Sequence, residues 1–134
     1  MKILVVDDEL VSRSKMQKIM EGLGECVAAA NGCEALTLFG QALESGTPFD
    51  LVTLDVVMPV MDGTEVLYEI REMEKKGYRP KEKRTRILMV TAQSDKDTVV
   101  TCIQAQCDDY IVKPFDRKKV MNKIERFRDL MGRG

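Results

Sequence analysis

The chain contains no histidine and no tryptophan, and only 5% of its residues are aromatic. Without imidazole there is no Ser-His or Cys-His nucleophile and no histidine general base. Four cysteines are present, Cys26, Cys33, Cys102 and Cys107, but none forms a C-x-x-C pair. With no histidine to complete a ligand set, a zinc site is not expected and the thiols read as reduced. No apolar run approaches the roughly 18 residues of a membrane span. The N-terminus opens on a strand-like run and has no charged-then-apolar leader. These absences predict a cytoplasmic protein whose chemistry must fall to carboxylates, lysine and a metal ion.

What is present fits one domain. The 134 residues suffice for a single sizeable core, and 32% charged with 44% hydrophobic residues is ordinary globular composition. The net charge of −1 hides an imbalance: residues 1–74 carry 5 basic and 14 acidic side chains, residues 75–134 carry 16 and 8. Part of the basic excess lies in residues 75–86, whose Gly, Pro and charge density predict an exposed loop. No helix-turn-helix or zinc-finger pattern accompanies it, so direct nucleic-acid binding is not expected.

Four apolar runs each end in a chemically loaded residue. Ile3-Leu4-Val5-Val6 meets Asp7-Asp8, Leu51-Val52-Thr53-Leu54 meets Asp55, Ile87-Leu88-Met89-Val90 meets Thr91, and Tyr110-Ile111-Val112 meets Lys113-Pro114. Short Val/Ile/Leu runs bounded by turn residues predict buried parallel strands, and open α/β sheets bind ligands beyond the carboxyl ends of their strands. A further strand, residues 26–30, ends without such a group.

Helical spacing fills the intervals. The first helix is expected over residues 9–21, with Val11, Ile19, Met20 and Leu23 inward and Gly22 and Gly24 as its stop. Asn31-Gly32-Cys33-Glu34 resembles a capping box opening the second. The third follows Gly63, placing Val66, Leu67 and Ile70 on one face until Gly77. Ser94 is the expected N-cap of the fourth, with Asp95 and Asp97 in its first turn. The fifth, residues 116–131, carries Val120, Ile124 and Phe127 inward. The pattern βαβαβαβαβα predicts an α/β fold: a doubly wound five-stranded parallel sheet with helices on both faces.

In the flavodoxin-like order 2-1-3-4-5, the switch point brings Asp7 and Asp8 beside Asp55. Carboxylates about 4 Å apart repel by roughly 4 kcal/mol at an effective dielectric near 20, so the cluster calls for a cation or for protons. A few oxygen ligands with room for water and phosphate suit Mg²⁺. Lys113 adds positive charge and Thr91 a hydroxyl. A carboxylate nucleophile beside Mg²⁺ and lysine is what phosphoryl transfer needs.

With Val5-Val6-Asp7-Asp8-Glu9, Asp55-Val56-Val57-Met58-Pro59-Val60-Met61-Asp62-Gly63, Val90-Thr91-Ala92 and Asp108-Asp109-Tyr110-Ile111-Val112-Lys113-Pro114-Phe115, the chain resembles the receiver domains of two-component response regulators. It is similar to the single-domain chemotaxis regulators over essentially its whole length. The resemblance implies Asp55 as phosphoacceptor, Asp8 as a direct Mg²⁺ ligand, Asp7 acting partly through water, and the carbonyl of Val57 as a third protein ligand. It implies that Lys113 pairs with the phosphoryl group, that Thr91 is the switch hydroxyl, that Tyr110 is the aromatic that turns inward, and that Lys113-Pro114 is cis. It further implies phosphorylation by a sensor histidine kinase or phosphotransfer protein and output through the face of helix 4, strand 5 and helix 5. Such a domain catalyses its own phosphorylation and dephosphorylation and is not a turnover enzyme. It works as a monomer or a phosphorylation-dependent dimer.

Three departures from that pattern stand out. Gln106 replaces the usual glycine before strand 5, the basic loop is longer than usual, and Val57 cannot orient a water. With Gln93, Val57 occupies a position that sets phosphate lifetime in the family, so slow self-dephosphorylation is expected. A small Mg²⁺-dependent aspartate-nucleophile phosphatase is the rival from the enzyme class, although Asp7 and Asp8 are adjacent instead of spaced D-x-D and no cap segment is present. A flavin module would explain neither Lys113 nor the acid cluster. The receiver is expected to fill residues 1–131, with 132–134 a short tail and no output domain. A receiver excised from a longer regulator would look the same.

Overall fold

In a computed structural model, which describes residues 1–77, 79–92 and 96–131, and of 81, 96, 98, 99 and 129–131 the backbone alone, the apolar runs become five parallel strands. These are β1 Lys2–Val6, β2 Glu25–Ala29, β3 Leu51–Asp55, β4 Arg86–Thr91 and β5 Asp109–Val112. They alternate with α1 Leu10–Glu21, α2 Gly32–Glu44, α3 Gly63–Lys76, α4 Lys96–Gln104 and α5 Arg117–Met131. The sheet order is β2-β1-β3-β4-β5, as expected. Every residue of β3, its central strand, is buried, which is why the run is continuously apolar and does not alternate.

The two faces carry separate cores. Leu4, Val6, Val52, Leu54, Ile87 and Met89 pack under α2, α3 and α4 through Phe39, Leu67, Ile70 and Cys102. Ile3, Val5, Leu51 and Leu88 pack under α1 and α5 through Met16, Met20, Val120 and Ile124. Each fully buried aliphatic or Phe side chain contributes about 1.5–3 kcal/mol by leaving water.

Several local expectations are corrected. Val11 is 75% exposed, because α1 starts at Leu10 and takes its phase from Met16, Ile19 and Met20. Five residues back from Met16 is a rotation about 140° away from the sheet. Glu9 caps that helix and is not part of it, and β2 begins and ends one residue earlier than predicted. The Asn31 side chain accepts from Glu34 N at 2.8 Å, but the Glu34 carboxylate takes the N–H of Ala30 where a full capping box would take that of Asn31. Ser94, Asp95 and Gln93 lie outside the described residues, while Asp97 sits in the first turn of α4.

The basic segment is not simply a solvated loop. Lys75 and Lys76 still belong to α3, and Lys81–Lys83 form one 3₁₀ turn. Its arginines are tethered: Arg79 Nη1 donates to Glu74 Oε2 at 3.1 Å and to Thr85 Oγ1 at 3.0 Å. Arg86 Nη1 donates to Asp108 Oδ1 at 3.2 Å. At the centre of this network Arg71 is buried between Glu74, Asp108 and the carbonyls of Thr85 and Gln106. Among the described residues no helix is long and apolar enough to cross a membrane.

Candidate phosphoacceptor site

Parallel register sets the site. Val6 pairs with Leu54, and Asp55 pairs with Val90, so the chain leaves β1, β3 and β4 at one edge of the sheet. Asp7 and Asp55 are buried there and Asp8 is exposed, and a carboxylate oxygen from each lies within 4.8 Å of the others. These are hard oxygen donors on rigid strand ends, a donor set that fits Mg²⁺.

Lys113 reaches over the pair from the end of β5. Its Nζ lies 3.5 Å from Asp7 Oδ2 and 3.5 Å from Asp55 Oδ2, and its backbone N–H donates to Thr91 O at 2.7 Å. The Lys113-Pro114 peptide is cis. Burial, and next the negative charge of Asp7, push the Asp55 carboxyl from its usual 3.8 to about 7, with Lys113 pulling the other way. Two buried carboxylates are more than one lysine balances.

Thr91 is buried at the end of β4. Tyr110, half-buried beside Met89 in the β4–β5 pairing, packs against the same core as Cys102 of α4. Paired residues of parallel strands share a face and alternate along it, so Thr91 and Tyr110 lie on the α4 side. The Val57 side chain is 71% exposed on the loop leaving Asp55.

That loop depends on Gly63. A Cβ there would lie 2.2 Å from the carbonyl oxygen of Asp55, and Gly63 N donates to Val56 O at 2.8 Å. The loop thus folds directly against the end of β3. Asp62 then caps α3, accepting from Glu65 N at 3.0 Å and from the Thr64 hydroxyl at 2.6 Å.

Sequence reasoning missed three contributors. Arg13 Nη1 donates to the carbonyl of Asp7 at 2.9 Å. Lys15 donates to the carbonyl of Phe115 and lies 4.9 Å from the centre of that ring, tying α1 to the segment that follows Lys113. No local pattern announces a bond spanning 100 residues. Val60 has φ +69 and is 100% exposed, a backbone conformation that a β-branched residue strongly disfavours. Val60→Gly should stabilise the protein by about 1 kcal/mol, read as a raised urea midpoint with unchanged slope, since no packing is lost.

Gln106 has φ +71. The bend that glycine would make is therefore kept by a residue whose Oε1 accepts from Arg84 Nη1 at 3.0 Å.

The family model described as response regulator receiver domain matches residues 3–125. The chain is 35% identical to the chemotaxis protein CheY of Bacillus subtilis, covering 93% of this chain and 95% of that one. It is 38% identical to the transcriptional regulatory protein ResD of the same organism, covering 92% of this chain and 46% of ResD. Several other curated relatives are longer still or similar in length to ResD, so the chain spans less than half of them. Among solved structures, a CheX-CheY-BeF3-Mg²⁺ complex from Borrelia burgdorferi matches with TM-score 0.79 at 30% identity, covering 93% of this chain and 87% of that one. With the predicted strand order in place, this chain belongs to the response regulator receiver domains of two-component signalling, a family of signalling modules and not of turnover enzymes.

Proposed function

We propose that this receiver accepts a phosphoryl group on Asp55 from a phosphohistidine of a sensor kinase or phosphotransfer protein. The observation that carries the reading is Lys113 Nζ, equidistant at 3.5 Å from Asp7 and Asp55 at the mouth of the carboxylate cluster. An Asp55 carboxylate oxygen attacks phosphorus, the P–N bond breaks, and the departing imidazole keeps the bond's electrons and takes a proton. Asp7, Asp8, Asp55 and the carbonyl of Val57 would hold Mg²⁺, which when bound neutralises charge on the transferring phosphoryl oxygens.

Lys113 pairs with the phosphoryl oxygens once they replace the bare carboxylate. The product carries about −1.5 to −2 charges where the carboxylate carried one. Thr91, at the neighbouring strand end, answers that charge through its hydroxyl, and Tyr110 fills the space its movement opens. The α4, β5 and α5 face thereby exchanges one docking state for another. The Borrelia burgdorferi relative, held with CheX, BeF3 and Mg²⁺, supports both the metal and a protein partner.

The test is incubation with Mg²⁺ and an acyl phosphate, followed by intact-mass measurement. A gain of one phosphoryl group that disappears with a chelator supports the reading. Continuous hydrolysis of a phosphomonoester would overturn it in favour of a phosphatase.

Phosphate lifetime follows from Val57. An apolar side chain offers a hydrolytic water neither donor nor acceptor, so the aspartyl phosphate should persist. Val57→Asn should shorten its half-life several-fold by orienting that water, measured as loss of label from isolated phosphoprotein.

A further inference from the structure

At the end of the sheet opposite Asp55, a cleft of about 530 Å³ opens between the last turn of α3, residues 79–84 and the connection from α4 to β5. Its volume falls within the range of small-molecule sites. Lys75, Arg79 and Arg84 line it over buried Arg71, and Glu74 is the carboxylate among the lining residues.

That carboxylate is already committed. Glu74 Oε1 accepts from Arg71 Nη1 at 2.6 Å, and Oε2 accepts from Thr85 N at 2.7 Å and from Arg79 Nη1 at 3.1 Å. Arg84 spends Nη1 on Gln106, and its Nε is buried with no hydrogen-bond partner among the described residues. A buried guanidinium N–H without an acceptor loses its hydration and gains nothing in return. Burial, with the nearby Arg71 guanidinium adding to it, lowers the Arg79 pKa, while Glu74 and Asp50 oppose the shift. Arg71 is held by Glu74 and Asp108, Arg79 by Glu74, and Lys75 lies 3.4 Å from Glu72, so among the described residues Arg84 is the lining cation with no carboxylate partner. The cleft's other wall is different in kind: Ile103, 60% exposed, stands beside Cys107.

We propose that this cleft binds a small phosphorylated molecule. Its phosphate pairs with the guanidinium of Arg84 and with Lys75 and Arg79, and its body lies along Ile103 and Cys107. Guanidinium forks match phosphate oxygens, and a concave site this size admits a nucleoside diphosphate. A nucleic-acid backbone fits less well, because the cations converge into a hollow and do not run along a ridge.

Titration calorimetry on the whole chain tests this, with Mg²⁺ chelated so that the acidic rim does not compete. Inorganic phosphate, pyrophosphate and ADP are the probes. Saturable one-to-one binding of pyrophosphate or ADP supports the site. Tighter binding of ADP than of pyrophosphate supports the body's place along Ile103 and Cys107, and equal binding overturns that placement. Arg84→Gln should weaken binding about tenfold or more, while Lys83→Gln, on the exposed 3₁₀ turn outside the cleft, should leave it unchanged. Should Arg84→Gln fail to fold, Ile103→Ser replaces it and should weaken ADP without affecting pyrophosphate. The proposal is overturned by no saturation at millimolar probe, by equal losses in the Arg84 and Lys83 variants, or by an oligonucleotide binding far more tightly than ADP.

Discussion

Asp55→Asn should abolish phosphoryl uptake completely and, in metal-free buffer at pH 8, should make the protein more stable than wild type. The first effect follows from chemistry: the amide nitrogen is no nucleophile toward phosphorus, and the remaining amide oxygen carries no full charge. Asp7 and Asp8 do not substitute, because the loop that Gly63 holds against the Asp55 backbone addresses the β3 strand end alone, while Lys113 lies as near Asp7 as Asp55. The second effect follows from linkage. The Asp55 carboxyl titrates near 7 in the folded chain against 3.8 ordinarily. Between those values the native state binds more protons than the unfolded one, so wild-type stability falls as pH rises through that window.

Asparagine removes this dependence. Its advantage should be fully developed above about pH 7 and should vanish toward pH 4, with a size on the order of 1–2 kcal/mol after allowing for solvent at the rim. Thermal melts of both proteins at several pH values measure it. A stability gap that grows on acidification would contradict the assignment. Added Mg²⁺ should reverse the order at neutral pH, because a cation that binds only the folded acidic cluster stabilises wild type by mass action.

The strand ends could be read from the sequence because a buried parallel strand is apolar without interruption. The first polar residue after each run therefore marks the rim of the sheet. Asp7, Asp55, Thr91 and Lys113 all carry that signal, and the strand register places them along one rim of the sheet. Helix phase was less legible. Val11 is apolar and sits at a plausible spacing, yet it faces solvent because the other inward residues of α1 decide its rotation. The tethers were not legible at all. Lys15 with Phe115 and Arg71 with Asp108 are separated by 100 and 37 residues, and a charged side chain in a charged segment looks the same whether it meets solvent or a buried partner. The positive φ of Val60 was equally hidden, since its residue type argues against the backbone it adopts.

Arg71 is where the hidden part of the structure should matter most. Arg71→Met should lower stability by about 3–5 kcal/mol, read as a lower urea midpoint with unchanged slope. The guanidinium makes four hydrogen bonds: to the carbonyls of Gln106 and Thr85, to Glu74 at 2.6 Å and to Asp108 at 3.0 Å. Methionine fills much of the volume but leaves two nearly buried carboxylates and two carbonyls short of donors. Compensation is partial. Glu74 keeps Arg79 and the Thr85 N–H, and Asp108 keeps Arg86 and the Ile87 N–H. Arg71→Lys separates charge from geometry: it restores the positive charge but not the planar fork, so it should recover only part of the loss. If lysine restored wild-type stability, net charge alone would account for the residue. The expected intermediate value means that Arg71 acts by direction. It joins α3 to the entry of β5, the strand that leads to Lys113, at the end of the sheet opposite Asp55.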